Sequence, residues 1–193
     1  MHRILYLGLD PSRYKHSGEL LHCPIIQITP NSLDEETKRV WPLITHVLFT
    51  SPSAVKYWPL PLIGKQIISI GAATASVLPV PSITAPFATQ EGVTALLDTL
   101  DLSEAYLFWP RSSRSRAFLS EYLAGKKIHV FDLYETTLRR PEVMPDLIRF
   151  DEIVFTSPST VYAFLELFSF IPLDKKITSI GPVTAEVINL YRT

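Results

Sequence analysis

Apolar runs of strand length alternate with amphipathic stretches along most of this chain. "RILYLGL", close to the start, is continuously apolar. Runs of this kind suit strands covered on both faces. A polar, Gly-containing stretch follows, "DPSRYKHSGELLHC". "PIIQITP" is a second strand bracketed by prolines. "NSLDEETKRVWPLI" reads as a helix, with Ser32 and Glu35 at capping-box spacing. The alternation then becomes regular: "HVLFT" a strand, "SPSAVKYW" a helix, "KQIISI" a strand, "GAATASVL" a helix. "TQEGVTALLDTL" is a helix with Thr89 as its N-cap. "AYLFWP" is a strand, "SSRSRAFLSEYLAG" a helix ending at Gly125, and "KKIHVFDLYETT" a long strand. After Pro141 the order restarts with "DEIVFT", "SPSTVYAFLELF", "KKITSI" and "GPVTAEVINLY". Strand, helix, strand, helix predicts an α/β protein with mostly parallel sheets.

The alternation contains a repeat. "THVLFTSPSAVKYW" aligns with "DEIVFTSPSTVYAF", and "KQIISIGAATASVL" aligns with "KKITSIGPVTAEVI". About half the aligned positions are identical, and both pairs occur in the same order. Two ordered matches predict two related domains in one chain. The period is far too long for a solenoid.

Each FTSPS elbow has a physical logic. Thr50 and Thr156 end a strand. Ser51 and Ser157 suit the N-cap, and the proline after each suits the first helical position, where its missing N–H costs nothing. The elbow thus opens a helix at the carboxyl end of a strand, the edge where open α/β sheets bind ligands. Free N–H groups, two hydroxyls and the positive end of the helix dipole make an anion seat there. The alternative is a helix cap and nothing more. In "IG-x-x-TA", Gly71 and Gly181 permit a tight turn or close backbone approach. Thr74 and Thr184 fall in the next turn, where a hydroxyl either reaches a ligand or caps its own helix.

Composition narrows the chemistry. Of 193 residues, 47% are apolar and 19% charged, and the net charge is -1. No global field attracts nucleic acid or an anionic membrane, so a polyanion must be held by local features. Cys23 is the one cysteine, which excludes an intrachain disulfide and a Cys-based metal cage. It reads as a half-buried thiol. No run reaches membrane length, and a cytoplasmic protein is expected. Five scattered histidines give no metal spacing. Neither G-x-G-x-x-G nor a Walker A loop nor G-x-S-x-G is present. "PRSSRSRAF" gathers Arg111, Arg114 and Arg116 after a strand, either as a solvated helix start or as a clamp for carboxylates or phosphates. Tyr134, in "DLYETT", is a phenol able to donate to a leaving group, or a packed interface tyrosine.

Together, "FTSPSAV", "SIGAATASVL", "ATQEGVTALL", "LFWPRSSRSRAFLSEYL", "VFDLYETT", "VFTSPSTVYAF" and "SIGPVTAEVI" resemble the uroporphyrinogen-III synthase family of tetrapyrrole biosynthesis. They stand in the family's order from Val47 onward. The resemblance implies two parallel-sheet α/β domains joined by two crossing strands, with a cleft between them. A split domain would take residues 1–30 and 137–193, and a continuous one residues 31–136. It implies a lyase that closes hydroxymethylbilane, a linear tetrapyrrole rich in carboxylates, while inverting the last pyrrole and releasing water. The implied path loses the hydroxyl to an azafulvenium cation, passes through a spiro intermediate and recloses in inverted order, without a cofactor or metal. Tyr134 matches the tyrosine proposed to assist hydroxyl departure, and Thr74, Ser159 and Thr184 match hydroxyls lining the cleft. Thr50, Ser51, Ser53, Gly71, Arg111, Thr156, Ser157 and Gly181 complete the expected substrate contacts.

Some positions depart from the family pattern. "LGLDPSR" stands where members often carry Thr-Arg-Pro, so that arginine is either lost or replaced by Arg13. Ser53 stands where many carry arginine. A T-x-E-G turn occurs at Thr89–Gly92, with no counterpart in the split domain, which is expected to be smaller. A monomer that accepts substrate from the preceding enzyme is expected. Two other readings fit parts of the pattern: a non-catalytic module of the same fold that binds a tetrapyrrole or polycarboxylate, and a two-domain small-molecule receptor.

Overall fold

A computed structural model describes residues 1–12 and 14–192. Arg13, the candidate replacement for that arginine, lies outside the described residues. In chain order the elements are β1 (Arg3–Tyr6), β2 (Glu19–His22), β3 (Ile26–Pro30), α1 (Glu35–Val40), β4 (His46–Phe49), α2 (Pro52–Tyr57), β5 (Gln66–Ser69) and α3 (Ala72–Ala75). They continue with β6 (Ile83–Thr84), α4 (Gln90–Leu97), β7 (Leu107–Ser112), α5 (Ala117–Tyr122) and β8 (Ile128–Leu138). The last are β9 (Glu152–Phe155), α6 (Pro158–Phe168), β10 (Lys176–Ser179) and α7 (Pro182–Tyr191). No helix among the described residues is long and apolar enough to cross a membrane.

The chain divides into two compact units. One comprises Met1–Ile28 and the stretch from Thr136 onward; the other is Thr29–Glu135. The first holds a four-stranded sheet in the order β10-β9-β1-β2, all parallel. Ile153, Val154 and Phe155 are all fully buried in β9. Consecutive strand residues point to opposite faces, so three buried in a row require cover on both. One face packs Leu5, Ile153 and Phe155 against Val161, Phe164 and Ile188. The other sets Ile4, Tyr6 and Val154 against Tyr14 and Leu20.

The second unit is built on β8, β7, β4, β5 and β6, neighbours in that order and paired in parallel. Phe108 and Trp109 are adjacent and both fully buried, again one per face. Trp109 joins Leu48, Ile68, Val93, Leu97 and Leu119 on one side. On the other, Phe108 meets Trp58 at 4.8 Å between ring centroids, and Trp58 meets Trp41 at 4.7 Å. Each such buried side chain contributes about 1.5–3 kcal/mol.

One strand is added and three local expectations are corrected. The polar stretch after β1 contains β2, whose mostly exposed residues hide it from an apolar count; it forms by pairing with the edge of β1. The Ser32–Glu35 capping box is not made, because Asp34 caps α1 by accepting the Thr37 N–H at 2.7 Å. The helix expected from "GAATASVL" is one turn long. Strand β7 runs on through Ser112, so α5 starts only at Ala117 and Arg111 lies on a strand.

Candidate active site

The repeated motifs occupy the same place in each unit. β4 and β5 are parallel neighbours with Phe49 opposite Ser69; β9 and β10 are parallel neighbours with Phe155 opposite Ser179. The Phe49 carbonyl accepts the Ile70 N–H at 3.0 Å, and the Phe155 carbonyl accepts the Ile180 N–H at 3.0 Å. Each elbow and its IG turn therefore stand side by side at the carboxyl end of adjacent strands.

In the Thr29–Glu135 unit the elbow is tied to its surroundings. Thr50 accepts the Trp109 indole N–H at 3.0 Å. Ser51 caps α2, its Oγ accepting the Ala54 N–H at 3.0 Å. The same oxygen lies 2.8 Å from the Tyr134 hydroxyl. Tyr134 arrives there because β8 carries a bulge: Arg111 faces Asp132, but the next residue, Ser112, faces Tyr134. The additional residue, Leu133, re-aims the side chains beyond it on the strand. The Asn31 N–H donates to the Leu133 carbonyl at 2.8 Å, and the Ser113 N–H to the Tyr134 carbonyl at 3.0 Å. Tyr134 is 6% exposed. Burial pushes its phenol pKa above the ordinary 10.0, while the Ser51 hydrogen bond pulls the other way. The group is a protonated donor at neutral pH.

Other expected residues of this unit are more internally engaged. Arg111 donates to Asp132 at 2.8 Å and to Ser120 at 2.7 Å, and lies over the Trp109 ring. Arg116 pairs with Glu91 at 3.3 Å. Thr74 is buried in the single turn of α3, while Ser53 is half-buried. At Gly71 an added Cβ would stand 2.7 Å from the Ala88 Cβ, so the close approach foreseen there is real.

In the other unit the second elbow closes on itself. Ser157 accepts the Thr160 N–H at 3.4 Å. Thr160 Oγ1 in turn accepts the N–H groups of Thr156 and Ser157, at 3.1 and 3.2 Å, and donates to the Ser157 carbonyl. Ser157 is thus the cap of α6, and two of the elbow's N–H groups have an internal partner. Ser159 is half-buried and Thr184 buried. Gly181 has open space where a Cβ would stand, and its φ of -146° is open to any residue; no close approach requires glycine there.

Glu152, at the opposite end of that sheet, went unnoticed in the sequence. Its side chain is 3% exposed and accepts from Tyr14 and Lys176, with His2 Nε2 at 2.8 Å and Thr178 also bonded. Burial works to raise its carboxyl, but the bonds from His2, Thr178, Tyr14 and Lys176 outweigh it and hold the pKa down to about 2. The available signal was an acidic residue heading the apolar run "EIVF". Cys23 is a free thiol of intermediate burial. No cluster of three metal-ligating side chains occurs among the described residues.

Comparison with known proteins adds ancestry to this geometry. The family profile described as uroporphyrinogen-III synthase HemD matches residues 12–192. Among solved structures, a mutant uroporphyrinogen III synthase from the extremely thermophilic bacterium Thermus thermophilus is similar with a TM-score of 0.64 and 18% identity, over 98% of this chain and 89% of that one. Uroporphyrinogen-III synthetase from Helicobacter pylori gives a TM-score of 0.63 and 19% identity, with the same coverage of both chains. At such identities the likeness speaks for the fold alone. No curated protein matched in sequence.

Proposed function

The chain belongs to the uroporphyrinogen-III synthase family, and on that premise we propose that it closes hydroxymethylbilane with inversion of the terminal pyrrole and loss of water. In this reading it is a lyase. The hydroxymethyl C–O bond breaks, the departing oxygen takes a proton and leaves as water, and the azafulvenium cation remains. The terminal pyrrole attacks that cation at its substituted carbon, and the spiro intermediate fragments and recloses in inverted order. The cation is reactive by itself, so the protein's main task is to hold the substrate in one geometry.

Tyr134 donates to the departing hydroxyl. A phenol kept neutral by burial suits a general acid that must not ionise before it acts. The half-buried hydroxyls of Ser53, Thr156 and Ser159 receive substrate carboxylates, with Thr50, Ser51, Ser157, Thr74 and Thr184 shaping the turns around them. Gly71 and Gly181 set the adjacent backbone, and Arg111, held by Asp132 and Ser120, steadies the carboxyl end of its strand. The protein works in the cytoplasm, as a monomer, on a substrate released by the preceding enzyme.

The observation that carries this reading is the buried Tyr134 phenol joined to the first elbow at 2.8 Å. The test is the rate of type III product formation from hydroxymethylbilane by the native chain and by Tyr134→Phe. The phenol deletion is expected to slow turnover by about 100-fold, with little change in melting temperature. An unchanged rate removes Tyr134 from the chemistry.

A further inference from the structure

The Ser51–Tyr134 pair carries more information than a contact. Ser51 Oγ accepts the Ala54 N–H from behind, at 3.0 Å, and faces the Tyr134 hydroxyl in front, at 2.8 Å. The two hydroxyls hold two protons between them. One lies in the bond that joins them, and one remains to be given outward. An N–H donated into Ser51 Oγ draws density from that oxygen and makes its own O–H the better donor. A phenol O–H lies in the plane of its ring and has two orientations. With Ser51 donating on one side, the phenol proton is left the other.

The second copy of the motif is the internal control. Ser157 occupies the same step, but the described partner of its hydroxyl is the backbone N–H of Thr160 in its own helix turn. The first elbow has Ala54 where the second has Thr160. The serine of the first copy has thereby acquired a partner from another strand. On the far side of the pair, the bulge at Leu133 and the Ser113 N–H hold the tyrosine backbone.

We propose that Ser51 is a positioning residue for the cyclisation: by donating to the Tyr134 oxygen, it turns the phenol proton toward the departing hydroxyl of the substrate. The role rests on the reaction proposed above; the hydrogen bond itself can be read without any activity. Burial raises the Tyr134 pKa and the Ser51 bond opposes that rise.

The experiment uses the full chain with carbon-13-labelled tyrosine, Tyr134→Phe serving to assign the resonance. Ser51→Ala, Ser51→Thr and Ser51→Asp are titrated by NMR and assayed for turnover. Ser51→Ala is expected to move the Tyr134 titration upward and to lower kcat by about tenfold, leaving KM nearly unchanged. Ser51→Thr keeps the donor and restores both. Ser51→Asp keeps the helix cap, and so the melting temperature, but cannot donate when ionised; its kcat falls as in the alanine variant. A Tyr134 titration unmoved by Ser51→Ala, or an aspartate variant as fast as the native chain, overturns the proposal and leaves Ser51 a plain cap. A native chain without synthase activity overturns the reaction instead, and the titration still reports whether Ser51 donates to the phenol.

Discussion

Thr160 and Ala54 stand at the same step of the repeat and differ by a hydroxyl. At Thr160 that hydroxyl accepts two backbone N–H groups. Thr160→Val preserves the shape and orphans both donors, so it is expected to cost about 2–3 kcal/mol in denaturant unfolding. Ser157→Ala removes only the cap and is expected to cost about 1 kcal/mol. Glu152 gives a pH-dependent prediction. Its carboxyl titrates near 2 in the folded protein against an ordinary 4.5. A depressed folded pKa means the stabilisation is complete above the ordinary value and drains away as pH falls toward 2. Glu152→Gln is expected to lower stability at pH 7 by about 3 kcal/mol and to flatten the loss between pH 4.5 and 2; a variant with the native acid profile contradicts the assignment. The carboxylate was hidden in the sequence for a physical reason. Its partners come from residues 2, 14, 176 and 178, and only the fold brings them to one point. Tyr134 was legible as a candidate phenol and again through the resemblance; its bond to Ser51 was not.

At the scale of elements, type was more legible than extent. Continuous apolar runs marked the buried strands because both sheet faces are covered, as the adjacent buried Phe108 and Trp109 require. The same rule is blind to β2, an edge strand with little to bury. Nor does periodicity foresee the bulge at Leu133, which depends on the register with β7. The two IG turns share the IG-x-x-TA pattern and differ in their surroundings. Gly71→Ala drives a methyl toward the Ala88 Cβ and is expected to destabilise by about 1–3 kcal/mol. Gly181→Ala enters open space and is expected to cost no more than the about 1 kcal/mol of a weakened N-cap. Thermal unfolding of the two variants side by side tests the pair; equal losses would mean the turns are packed alike.

At the scale of the whole molecule, the strand–helix alternation carried the α/β class and the parallel sheets, since parallel strands need crossovers and the helices supply them. The ordered motifs carried the family. The specificity of the reaction is a further matter. Hydroxymethylbilane left alone closes without inversion to the type I isomer, so consumption of substrate does not by itself distinguish guided from spontaneous closure. The direct measurement generates hydroxymethylbilane in situ, adds the folded chain, oxidises the products and separates type I from type III porphyrin by chromatography. The account predicts a clear excess of type III over the protein-free control. Type I alone, from a chain that circular dichroism shows to be folded, would contradict it.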